Sequence, residues 1–368
     1  MGILVSFIRH MSQSSTAEIW NIDHFMYLCG MWNEEFIRVN VDALVEVISA
    51  YEPDAIVDFW NPFACIAARA SHKPLITVIQ ADMHPQSQGF IWWKKPPPEL
   101  YPSPIRATNR ILAEYGLPSI KKMGELLLGD ATLVLGLPET DPLPTTAIVT
   151  YIGPILWQKQ EEKTPDWIDD LGSETPVIWL YPGNLQYVRG FRTFGDSAIV
   201  LQSCIEALEN EAIQVVLSTG YHSLPRRFIP LPDNFRHEPF VPGLAMAERS
   251  DLLIHHGGYG SCQTGLFTGR PALIIPTYSE RESNARRIAA QGAGDFVLPK
   301  TDVTGTRKQV SAEEVRTKVF NILSDASFAA NAKRIGEIMK TYRGASEAAR
   351  LIEGILQIDE KNGGLTTG

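Results

Sequence analysis

The sequence predicts an α/β protein of two Rossmann-like domains, on three observations. Short apolar runs rich in β-branched residues alternate with helical patterns along the chain, which is how a parallel sheet covered by helices is built. The 368 residues are enough for two domains, each with its own core. From Leu252 onward two strand–loop–helix units follow one another with polar residues at the strand ends, which places a ligand at the carboxyl edge of a parallel sheet.

In the first half, strands are predicted at Ile3–Phe7, Ala55–Phe59, Leu75–Ile79, Thr132–Leu135 and Ala147–Tyr151. Helical periodicity runs from Val39 to Tyr51 and stops at Pro53-Asp54. Five prolines between Lys94 and Pro104 require a surface loop. Gly153-Pro154 and the charged run Lys159 to Lys163 mark a linker, with Trp167 and Ile168 starting a docking turn. Strands of the second half are predicted at Val177–Leu180, Val215–Ser218, Leu252–Ile254, Ala272–Ile275 and Asp295–Val297, and a last helix at Ser346 to Ile358. The expected boundaries are 1–153 for the first domain, 154–175 for the linker, 176–358 for the second domain and 359–368 for a frayed tail.

Bulk properties narrow the function. A net charge of −9, with no basic cluster, argues against a nucleic-acid partner. The longest apolar runs are strand-length, so no membrane span is expected. Cys29, Cys65, Cys204 and Cys262 show no metal-ligand spacing, and reduced thiols in a cytoplasmic protein are the expectation.

The most informative stretch runs from Asp251 to Gly294. Leu252 to Ile254 delivers the chain to His255 and His256; Gly257, Gly258 and Gly260 then allow a tight turn, and Ser261 opens an amphipathic segment. Free N–H groups and the helix dipole hold a phosphate at such a helix start. A second run, Ala272 to Ile275, ends at Pro276, and its loop carries Glu280, Arg281 and Asn284.

These spacings resemble the nucleotide-recognition region of GT-B glycosyltransferases, the family of UDP-glycosyltransferases and macrolide-type natural-product glycosyltransferases. The matching residues are His256-Gly257-Gly258-Tyr259-Gly260-Ser261, Gly269-Arg270-Pro271, and Pro276 through Asn284-Ala285. The resemblance implies two Rossmann-like domains facing across a cleft, and no metal or other cofactor, the nucleotide-sugar being a co-substrate. It implies that His256, Gly258, Tyr259, Gly260 and Ser261 contact the diphosphate. Gly183 and Asn184 would form a second phosphate loop, with Gly220 a similar strand-end turn. Phe240 would stack on the base while the main chain of Val241 reads its edge. Thr264 stands where many relatives grip the ribose with a glutamate, and Glu280-Arg281 replaces the Asp-Gln pair that contacts sugar hydroxyls. Arg281 then points either to a modified or acidic sugar or to a carboxylate bridge unrelated to sugar.

The family's base is a histidine in a glycine-rich loop after the first strand, and no such glycines occur in MGILVSFIRHMSQSST. The first domain is therefore expected to be incomplete. His10 is the one histidine candidate for that base; Asp58 and Asp82 stand at strand ends, where a carboxylate serves acid–base chemistry or caps a turn. Trp60, Trp92, Trp93, Phe63 and Phe90 are candidates to line an apolar acceptor pocket. The expected function is transfer of a sugar, with inversion, from a UDP- or dTDP-sugar to a small lipophilic or natural-product acceptor. A catalytically silent nucleotide-binding relative that activates a partner, and a sugar-nucleotide epimerase of the same fold, are the alternatives. Homodimerisation is left open.

Overall fold

The computed structural model describes residues 18–96, 103–156, 164–172, 174–183, 185, 197–220, 222–301 and 308–363. The strand expected at Ile3–Phe7, His10, Asn184 and the run Lys159 to Lys163 lie outside the described residues. Contacts divide the chain into two units, residues 19–155 with 342 onward, and residues 156–341.

The first unit opens on the short helix α1 (Ile22–Met26), followed by α2 (Glu34–Tyr51). Helix α2 begins five residues before the periodicity shows it. The Asn33 side chain accepts the Phe36 N–H at 3.2 Å, and Glu34 and Glu35 place negative charge at the helix start. Ile37, Val41 and Ile48 form its buried stripe. Strands β1 (Ile56–Asp58), β2 (Leu75–Gln80), β3 (Ala131–Leu135) and β4 (Thr150–Tyr151) pair in parallel in that order. Helices α3 (Pro62–Ala70) and α4 (Ile105–Glu114) pack against α2, and Ile66, Ile111 and Leu127 are fully buried between them and the sheet.

In the second unit, β5 (Val177–Tyr181), β6 (Gln214–Ser218), β7 (Phe235–Glu238), β8 (Leu252–His255), β9 (Ala272–Ile274) and β10 (Gly294–Phe296) form one parallel sheet. Its order is β10-β9-β8-β5-β6-β7. The chain leaves β5 in one direction, then returns to add β8 on its other side, so β5 and β8 flank a topological switch point. Helices α5 (Ser197–Leu208), α6 (Gly243–Arg249), α7 (Tyr259–Phe267), α8 (Ser279–Ala290), α9 (Ala312–Ser324) and α10 (Ala326–Met339) complete it. Strands β11 (Lys300–Thr301) and β12 (Lys308–Gln309) form a small antiparallel ladder. The expected turn at Trp167 and Ile168 is a 3-10 turn, Asp166–Ile168, whose Ile168 packs with Val177, Val216, Val241 and Met246.

Two elements differ from the sequence reading. Strand β7 carries no apolar run; it is an edge strand held by its register with β6, with only Phe235 fully buried. The last helix, α11 (Ala345–Gly363), groups with the first unit rather than the second, and it continues past the expected end at Ile358. The chain is fastened there before the helix starts. The Gly344 N–H donates to the Ile152 carbonyl at 2.8 Å, and a Cβ at Gly344 would lie 2.3 Å from the Pro154 oxygen.

Candidate nucleotide site

The switch point is where two glycine turns meet. The loop after β5 passes through Gly183 at φ +95°, and a Cβ there would stand 2.8 Å from Ser197 Oγ and 3.1 Å from His256 Nδ1. The loop after β8 turns through Gly257 at φ +89°, where a Cβ would meet the Arg281 carbonyl at 2.9 Å and Ile274 Cγ2 at 3.0 Å. Only glycine fits either position. Asn284 locks the second turn: its Nδ2 donates to the Gly257 carbonyl at 3.0 Å and to Glu280 Oε1 at 2.8 Å.

Gly258 caps α7 without offering a side chain. The first intrahelical bond here runs from the Cys262 N–H to the Gly258 carbonyl, which leaves the Gly260 and Ser261 N–H groups without an acceptor among the described residues. A Cβ at Gly260 would meet nothing within 4 Å, so the approach to these groups is open. Thr264 points back along its helix, its Oγ1 donating to the Gly260 carbonyl at 2.9 Å.

Both histidines are buried. His255 Nδ1 accepts the Gly257 N–H at 3.1 Å, which puts the proton of the neutral ring on Nε2, and that nitrogen has no partner. Burial, and then the charge of Arg281, push the His255 pKa down to about 3. His256 is lowered well below the usual imidazole range by burial, then Arg281, then His255, against a main-chain hydrogen bond at Tyr181. Its ring meets Tyr181 edge-on at 5.5 Å, and its Nδ1 is unpartnered. Two neutral imidazoles therefore stand beside one guanidinium. Arg281 Nη1 donates to Thr277 Oγ1 at 2.7 Å, and the guanidinium lies 4.7 Å from the Tyr278 ring centre. Burial raises the Glu280 pKa, against the hydrogen bond from Asn284 and the charge of Arg281.

Phe240 is 36% exposed at the end of β7, while its neighbour Val241 is buried in the core. The N–H and carbonyl of Val241 make no hydrogen bond among the described residues. Gly220, at φ +63°, would bring a Cβ within 3.5 Å of Tyr181 Oη. Tyr181, Ser197 and Thr277 were not singled out from the sequence; Tyr181 is visible only as the residue ending β5, and the other two carry no local signal.

In the first unit, Asp58 is engaged as a cap. Its two oxygens accept the Asn61 N–H at 3.0 and 3.1 Å, and Asn61 in turn accepts from Phe63 and Ala64 at the start of α3. The aromatic residues expected to share one pocket separate. Trp92 lines a cavity of about 440 Å³ with Trp20, Ile22, Ile91, Asp82 and His84, whereas Trp60 and Phe63 line another of about 260 Å³. Phe90 is buried in the core, and Trp93 lines neither cavity. Among the described residues, no cluster of three or more His, Cys, Asp or Glu side chains could hold a metal ion, and no helix is long and apolar enough to cross a membrane.

Residues 204–354 match the family described as Erythromycin biosynthesis protein CIII-like, C-terminal domain. The chain is 28% identical over 209 residues to the 4'-demethylrebeccamycin synthase of Lentzea aerocolonigenes, covering 56% of this chain and 45% of the relative. It is 32% identical over 207 residues to the NDP-glycosyltransferase YjiC of Bacillus subtilis (strain 168), covering 56% and 48%. The chain thus spans about half the length of these relatives. Among solved structures, the spinosyn forosaminyltransferase SpnP superposes with a TM-score of 0.63 at 22% identity, covering 86% of this chain and 79% of that one. The fold is that of the GT-B glycosyltransferases, two Rossmann-like domains with parallel sheets. Residues 204–354 are thus similar to the C-terminal domain of the Erythromycin biosynthesis protein CIII-like family, and the relatives this chain resembles over that half are named as glycosyltransferases or a glycoside synthase.

Proposed function

We propose that this protein transfers a sugar from a UDP- or dTDP-sugar to a small lipophilic hydroxyl compound, with inversion and without a metal. The observation that carries the reading is the meeting of the Gly183 and Gly257 turns beside the open N–H groups of Gly260 and Ser261. Those donors, with His256 and the Ser261 hydroxyl, hold the diphosphate at the N-terminus of α7. Phe240 stacks on the base and the main chain of Val241 reads its edge. Tyr259, in the first turn of α7, contacts the diphosphate, Thr264 takes the position of the ribose contact, and Glu280 accepts from sugar hydroxyls. Gly183 keeps the second phosphate loop close.

In the reaction, the acceptor oxygen bonds to the anomeric carbon as the bond from that carbon to the phosphate oxygen breaks. The leaving diphosphate keeps the electron pair, and the acceptor proton passes to a base. Donors aimed at the leaving group lower the barrier because they stabilise charge that appears only as this bond breaks. The cavity lined by Trp20, Ile22, Ile91 and Trp92 suits the apolar body of the acceptor, and Asp23 and Asp82 are the carboxylates on its wall. His84 Nδ1 accepts the Gln86 N–H at 3.1 Å, so the neutral ring presents Nε2–H, a donor to an acceptor's oxygen rather than a base. The four cysteines are buried and not in disulfides, which fits a cytoplasmic location.

A nucleotide-binding protein without transferase activity is the second reading, favoured by the use of Asp58 as a cap and of His84 as a donor. The experiment is a donor screen with the full chain, following release of free nucleotide and calorimetric binding of UDP and dTDP. Binding with turnover supports the transferase; binding with no turnover from any donor supports the second reading; no binding of either nucleotide removes both.

A further inference from the structure

Arg281 is the unusual residue of this site. Its Nη1 is anchored on Thr277 Oγ1 at 2.7 Å, and its guanidinium lies against the Tyr278 ring. Its Nε is buried without an acceptor. No carboxylate lies within ion-pair distance of it among the described residues: Glu280, its neighbour in the chain, bonds to Asn284 instead. The carboxylate bridge that the sequence left open is therefore not formed. A guanidinium confined in this way costs free energy until an anion reaches it, because burial penalises an uncompensated charge. An oxyanion taken side-on bonds to the Nε edge of a guanidinium, and Nε is the atom left here without an acceptor.

The position of Arg281 says which anion. Its carbonyl and Cβ lie 2.9 and 3.0 Å from where a Gly257 Cβ would stand, so its backbone is packed on the phosphate turn itself. Its charge acts on His255, His256 and Tyr181, three rings gathered at the switch point. The two imidazoles are neutral and bring no charge of their own.

Resting on the nucleotide-sugar reading above, we propose that Arg281 is the cationic partner of the donor's diphosphate, rather than a contact to sugar hydroxyls or to a sugar carboxylate. As the bond from the anomeric carbon to the phosphate oxygen breaks and its electron pair stays on the leaving group, Arg281 offsets the charge that builds there. His256 contributes a neutral hydrogen bond and a fixed wall, and the helix N-terminus contributes dipole. The site thus carries its charge on α8 rather than on the glycine motif that marks it in the sequence.

Calorimetric titration of the full chain and of its Arg281→Gln and Arg281→Lys variants with UDP, dTDP and uridine tests this, with thermal unfolding as a check on the fold. Arg281→Gln is expected to weaken UDP and dTDP by about tenfold or more while uridine changes by less than about twofold, and Arg281→Lys to fall between, keeping charge but losing the planar fork. An Arg281→Gln variant that binds UDP within about twofold of the parent overturns the proposal. With UDP-glucuronic acid and UDP-glucose titrated alongside, a loss confined to UDP-glucuronic acid also overturns it, since that pattern assigns the arginine to a sugar carboxylate. A parent protein that binds neither UDP nor dTDP sinks the nucleotide reading itself, and this inference with it.

Discussion

Gly183 and His256 are in contact across the switch point: a methyl group on Gly183 would lie 3.1 Å from Nδ1 of the histidine, and 2.8 Å from Ser197 Oγ. Two loops 73 positions apart in sequence therefore define one concave surface. Gly183→Ala must resolve both clashes at φ +95°, a backbone region that costs a non-glycine residue about 1–3 kcal/mol. Urea unfolding should show a loss of that order, with weaker UDP binding.

Gly260→Ala separates folding from binding at the same turn. The added methyl meets no protein atom within 4 Å and lies in the first turn of α7, where alanine favours the helix by up to about 1 kcal/mol. Stability should hold or rise slightly, while affinity for UDP and dTDP falls because the methyl occupies the phosphate approach. Paired unfolding and calorimetry check this; unchanged affinity would place the phosphates elsewhere.

Asn284 bridges the turn to α8 through two donated hydrogen bonds. Asn284→Ala should cost about 1–3 kcal/mol by leaving the buried Gly257 carbonyl unsatisfied. Asn284→Asp should cost more at neutral pH, because an acceptor-only carboxylate then faces both that carbonyl and Glu280. Unfolding of the three proteins at pH 5 and 8 gives the comparison, with the Asp variant the weakest at pH 8.

His255 sets a pH dependence. Its folded pKa, about 3, lies below the ordinary 6.5, so the unfolded chain binds the proton first and stability falls as pH drops. The loss begins near pH 6.5 and continues towards pH 3, at most about 1.4 kcal/mol per pH unit from this residue. Glu280 opposes it: its raised pKa contributes stability at low pH that is lost as pH rises above the ordinary carboxylate range. Comparing the protein with His255→Gln cancels the glutamate, and the variant should show the shallower fall between pH 6.5 and 4.5. Identical slopes would show that His255 titrates normally in the fold.

Phe240 is about a third exposed, so Phe240→Ala should leave stability within about 1 kcal/mol. Loss of base stacking should weaken UDP by about 1–3 kcal/mol while pyrophosphate binding is unchanged. Competition between the two ligands reads the difference.

Much of this was legible in advance, for physical reasons. The glycines at 183 and 257 mark backbone that no other residue could follow, and the apolar strands β5, β6, β8 and β9 are largely buried, so each shows as a continuous run. Strand β7 was not legible, because a partly solvated edge strand reading Phe-Arg-His-Glu has no run to find. The partnership of α11 with the first unit depends on the Gly344–Ile152 bond, which spans 192 positions and leaves no local trace. Arg281 was visible as a departure from the family pattern, but its missing counter-charge is a property of the packed site alone.

The central claim is that the turn at His256 holds the diphosphate, and amide hydrogen exchange with saturating UDP or dTDP measures it most directly. Protection should appear at Gly260 and Ser261, the open donors at the start of α7, and at the Val241 amide. Nucleotide that binds tightly while leaving the Gly260 and Ser261 amides exchanging at the rate of the free protein would contradict it.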